Sequence, residues 1–146
     1  MIKQLIHIPN IDWDVYVYYY VSCYYADEII DKMESIDASP KFIKQAYRNM
    51  KSCNLDGGVT YSNYVHRTTV MVIGESTSKE EFFNTFIHES RHLIDDLSKM
   101  NGISHNGEEI AYLAGYVGEQ MFPIVKLFVC DCNHCKRMLY EKTERD

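Results

Sequence analysis

The chain has 146 residues, a net charge of −6 and 46% hydrophobic residues. That length and balance suit one globular domain, residues 1–146, able to bury a core without cross-links. The acidic excess comes with no basic stripe to neutralise phosphates, which excludes nucleic acid as a partner. The N-terminal MIKQLIHIPNIDWD lacks the apolar run of a secretory leader, and the most apolar later stretch, residues 122–130, is broken by Pro123 and Lys126. No membrane partner is therefore expected. Five cysteines, an odd number, without an export signal, point to a cytoplasmic protein with free or metal-bound thiols.

Residues 11–22 (IDWDVYVYYYVS) are rich in Val and Tyr and alternate, so they predict a strand with Val15, Val17, Tyr19 and Val21 on one face. Residues 26–36 carry Ile29, Ile30, Met33 and Ile36 at helical spacing. A second helix is expected from Pro40, a good first-turn residue, to about Lys51. Asn54-Leu55-Asp56-Gly57-Gly58 is a turn signal, followed by two strand-like pieces near residues 59–64 and 67–73. Ser78-Lys79-Glu80-Glu81 reads as a capping box opening a long helix that stops at Asn101-Gly102. Another helix starts at Asn106 or Gly107 and runs to about Phe122. There Pro123 either kinks it or begins a last short helix.

Inside the long helix lies His88-Glu89-Ser90-Arg91-His92. Histidines four residues apart share one helix face, so their imidazoles can grip a single Zn²⁺ ion, and Glu89 can reach the water beside it. A catalytic zinc usually keeps three protein ligands and one open position, so a third ligand is required. The candidates are Asp95 or Asp96, His105, and Glu108 or Glu109. The aspartates follow His92 too closely on the same helix and would more naturally support a histidine. His105 lies in a loop. Glu108 shares a helix face with Ala111 and Gly115, whose small side chains would let the two helices approach. That face favours Glu108 over Glu109.

His88-Glu89-x-x-His92 followed by Glu108-Glu109-Ile110-Ala111 resembles the zincin clan of metallopeptidases, in its glutamate-ligand (gluzincin-like) branch. The resemblance covers residues 66–121. Residues 111–117 (AYLAGYV) are also similar to small zincin-like proteins of phage and gut-bacterial mobile elements. It implies an α+β fold, a minimal zincin-like domain in which a small antiparallel or mixed sheet packs on the motif helix and a following ligand-bearing helix. It further implies His88, His92 and Glu108 as zinc ligands, Glu89 as general base, and a peptide or protein substrate. Tyr112 stands where many members carry an aspartate that orients a ligand histidine. An extended substrate would add to a sheet edge, for which residues 68–73 (TTVMVI) are the candidate strand. Tyr64, Tyr112 and Tyr116 are candidate donors to an oxyanion. The alternatives are a non-catalytic zinc-binding adaptor derived from a peptidase and a metal-free helical interaction domain.

The tail Cys130-Asp131-Cys132-Asn133-His134-Cys135 has the composition of a metal site. Ligands at this spacing without a second knuckle strain a tetrahedron, so a frayed tail with reduced thiols is expected. Cys23 and Cys53 can join only through tertiary contact.

Overall fold

A computed structural model describes residues 1–53 and 57–144. The element order is β1 (Ile2–Ile8), β2 (Trp13–Val21), α1 (Ala26–Ser35), α2 (Pro40–Lys51), β3 (Gly58–Asn63), β4 (Thr68–Gly74), α3 (Lys79–Asn101), α4 (Glu108–Val129) and α5 (Asn133–Thr143). The strands form one mixed sheet in the order β1-β2-β4-β3, with β2 and β4 parallel and both outer pairs antiparallel. This is the α+β class and mixed sheet expected. The turn predicted at residues 54–58 falls largely outside the described residues.

Alternation along the two central strands builds two cores, one on each face of the sheet. Trp13, Val15, Val17 and Tyr19 of β2, with Met71 and Ile73 of β4, pack against Phe82, Leu93 and Leu97 of α3 and Val117, Met121 and Val125 of α4. Tyr18, Val70 and Val72 point the other way, onto Ile29, Ile30 and Met33 of α1 and Ala46 and Met50 of α2. Val21 joins this second core rather than the face of Val15 and Val17. Tyr20 adopts a left-handed φ of 59° and the register with β4 shifts there, so the alternation slips by one residue.

Local signals fix the helix ends. Ser39 Oγ caps α2 by accepting the Phe42 N–H, and Pro40 occupies the first turn. Ser78 Oγ accepts the Glu81 N–H at 3.1 Å, while the Glu81 carboxylate accepts the Thr77 N–H at 2.7 Å and its hydroxyl at 2.8 Å. Those bonds hold the Glu81 carboxyl below its ordinary range. α3 ends where Gly102 takes φ 66°, a left-handed position that glycine occupies without a side-chain clash. α4 continues through Pro123 to Val129.

Residues 2–8 form an edge strand, β1, which pairs antiparallel with β2. Residues 68–73 lie between β2 and β3, fully buried, so they offer no free edge; β3 is the edge strand on that side. The tail is no frayed end: α5 spans Asn133–Thr143, with the Cys132 side chain as its cap. Cys23 and Cys53 are joined as a disulfide, which leaves three free cysteines rather than five. Among the described residues no single helix is long and apolar enough to cross a membrane.

Candidate functional site

β4 feeds α3 through a short loop, and α3 lies back across β4 and β3, turning Thr85, Glu89 and Leu93 toward the sheet. Glu89 is 3% exposed, an unusual position for a carboxylate. Its Oε2 accepts a hydrogen bond from Thr60 Oγ1 of β3 at 2.7 Å. Its Oε1 lies 4.0 Å from His88 Nε2. The carboxylate is therefore anchored to Thr60 through one oxygen and has the His88 imidazole near the other.

Room for it comes from Gly58, at the start of β3. A Cβ there would sit 2.3 Å from the Val72 carbonyl oxygen and 2.7 Å from Glu89 Cγ. The backbone oxygen cannot step aside without breaking the β3–β4 ladder. Gly58→Ala is expected to cost about 3 kcal/mol, an overpacking penalty at the top of the usual range. In a domain of this size that lowers the midpoint by about 10 °C, measurable by calorimetry.

His88 and His92 stand on the adjoining face of α3, both exposed, with Nε2 atoms 3.1 Å apart and rings edge to face. Two Zn–N bonds of about 2.0–2.1 Å meeting at a tetrahedral angle separate their nitrogens by about 3.3 Å. The two donors thus already stand at the spacing that a shared zinc requires.

Glu108 does not join them. The buried face of α4 carries Ile110, Val117 and Met121, whereas Glu108, Ala111 and Gly115 are exposed, and a Cβ on Gly115 would meet nothing within 4 Å. The small residues that suggested a close helix approach face solvent. Glu108 and Glu109 instead line a cavity of about 620 Å³ against Pro9 and Ile11 of the β1–β2 turn, together with Tyr112 and Tyr116. Among the described residues, no third His, Cys, Asp or Glu places a ligand atom within 4.8 Å of both histidines.

The remaining candidates are also elsewhere. Asp95 accepts the Arg91 Nε–H at 2.9 Å and lies 3.8 Å from His105, so those two pair with each other beyond the motif. Asp96 is eight residues past His88, a rise of about 12 Å along the helix, too far for its short side chain to reach a metal between the histidines. Of the tyrosines, Tyr116 donates its hydroxyl to the His7 carbonyl at 3.0 Å. Tyr64 stacks near Arg67, on the β3–β4 turn. The Thr60 hydrogen bond to Glu89 is the contact in this candidate site that the sequence did not reveal. Only strand order brings Thr60 to Glu89, and its position on a strand before the motif was the sole available hint.

A second donor set lies at the α4–α5 junction, where Cys130, Cys132 and Cys135 could hold a metal ion. The Cys135 N–H, donating to Cys132 Sγ, leads the effects that hold the Cys132 thiol down to about 7. Its neighbour Cys132 leads those that push Cys135 up to about 11.

No family model, no curated protein and no solved structure matches the chain.

Proposed function

We propose that His88, His92 and Glu89 form a zinc-dependent, zincin-like site that hydrolyses peptide bonds. The observation carrying this reading is the 3.1 Å separation of the two Nε2 atoms beside a buried carboxylate anchored by Thr60. A purely structural pair of histidines has no need of a third ionisable group held at 4.0 Å. Zinc, when bound, supplies a Lewis acid for the scissile carbonyl and a more acidic water.

The chain's own groups account for the rest. Glu89 Oε1 takes the proton of the attacking water and returns it to the leaving amine, which is general acid–base work. Thr60 keeps Oε2 occupied, so that Oε1 remains aimed at the histidines. β3, which carries Thr60, is an edge strand, and no other strand among the described residues pairs with its outer side. An extended peptide can add there by main-chain hydrogen bonds, which lays its backbone across the site. Glu108 has no part in this reading.

A non-catalytic zinc-binding module is the second reading, favoured by one observation: among the described residues no third ligand joins His88 and His92. One experiment separates the two. The zinc-loaded protein is incubated with a proteome-derived peptide library and cleavage is read by mass spectrometry, with a chelated control. Cleavage that chelation abolishes supports the hydrolase. Zinc uptake with no cleavage supports the module.

Thr60→Val is expected to lower kcat/KM by about 10-fold, the low end for removing a partner that orients a catalytic group. Zinc affinity should be unchanged, because Thr60 touches no ligand. A loss of metal in this variant would place Thr60 in the binding set rather than behind Glu89.

A further inference from the structure

The three free cysteines come together where two helices meet. α4 ends at Val129, Cys130 continues in extended backbone, and Cys132 caps α5 at φ −68°, ψ 148°. The three Sγ atoms all lie within 4.8 Å of one another. Thiolates sharing one ion, with bonds of about 2.3 Å at tetrahedral angles, stand about 3.8 Å apart. Cys135 is 6% exposed, which places its sulfur inside rather than in solvent.

The surroundings suit concentrated negative charge. The Cys135 N–H donates to Cys132 Sγ at 3.4 Å. The cluster sits at the start of an 11-residue helix, whose unpaired N–H groups and dipole favour anions. Asp131, between two of the cysteines, is held by an ion pair to Lys79 at the start of α3, so the connection is tied to the body of the fold.

A dithiol redox pair needs only two sulfurs, and Cys132 with Cys135 would suffice. Cys130 at the same point is the feature such a pair leaves unused. We propose that Cys130, Cys132 and Cys135 bind one thiophilic metal ion, zinc or copper(I), as three thiolates, pinning α5 to the end of α4. Soft sulfur ligands select these ions. Binding exchanges up to three S–H protons, released to solvent, for three metal–sulfur bonds. Zinc would keep a fourth position for water, and copper(I) would need none.

The test uses the full-length His88→Ala/His92→Ala protein, which isolates the thiols from the histidine site. It is purified anaerobically without added thiol, so that the Cys23–Cys53 disulfide persists. Zinc and copper(I) are titrated in separate arms while thiols reactive to a disulfide reagent are counted. We expect Cys130 and Cys132 to react without metal, and both to be protected by one equivalent of ion in at least one arm. Cobalt(II) should give a sulfur-to-metal charge-transfer band. Cys130→Ser, Cys132→Ser and Cys135→Ser should each weaken binding by more than about 100-fold, beyond the cost of losing an outer partner. Should the buried Cys135→Ser unfold, as read by circular dichroism, the exposed Cys132→Ser gives the same answer. A Cys132–Cys135 disulfide in the anaerobic protein, absence of protection in both arms, or unchanged affinity in Cys130→Ser would each overturn the proposal.

Discussion

Glu89→Gln is expected to keep the fold and the bound zinc while lowering kcat/KM by about 10²–10⁴, the usual contribution of a general base. Glutamine preserves the shape of the side chain, and its amide oxygen can still accept from Thr60 Oγ1, which now binds Oε2 at 2.7 Å. What disappears is the capacity to take a proton from water. Steady-state cleavage, with zinc content measured on the same samples, checks this. Equal rates in the wild type and Glu89→Gln would mean that Glu89 is only a buried anchor between α3 and β3.

His88→Ala or His92→Ala is expected to abolish metal binding at this site and all activity with it. Structural zinc sites with four ligands reach about 10–16 kcal/mol. One ligand is thus worth about 3 kcal/mol, or about 100-fold in affinity. A site with two gathered ligands cannot absorb that loss. Glu108→Ala and Glu109→Ala should both leave zinc affinity unchanged, since both carboxylates line the cavity at the β1–β2 turn. Calorimetric titration of the four variants checks the set. A large loss confined to Glu108→Ala would mean that the first turn of α4 swings toward His88 and His92 when metal arrives.

Legibility followed the range of the signal. Pro40, and Ser78 with Glu81, are local devices, so the starts of α2 and α3 were readable from a few residues. The His88–His92 pairing needed only helical periodicity. Strand order is not local, so TTVMVI does not name the partners of β4. The uninterrupted apolar run Val70-Met71-Val72-Ile73 is what a doubly covered strand requires. Ala111 and Gly115 are small residues that suit close packing and exposure equally, so they do not mark the buried face of α4. The stripe of Ile110, Val117 and Met121 was the stronger cue. The Cys23–Cys53 bridge and the Thr60–Glu89 bond both depend on tertiary approach across 29 or 30 residues.

The most direct measurement is anomalous scattering at the zinc absorption edge from crystals grown with zinc and without chelator. The central claim is that His88 and His92 share one metal with Glu89 beside it. It predicts an anomalous peak bonded to both Nε2 atoms at about 2.0–2.1 Å, with Glu89 Oε1 facing it and Glu108 absent from the coordination sphere. A peak at Cys130, Cys132 and Cys135 alone, with the imidazoles free of metal, would contradict it.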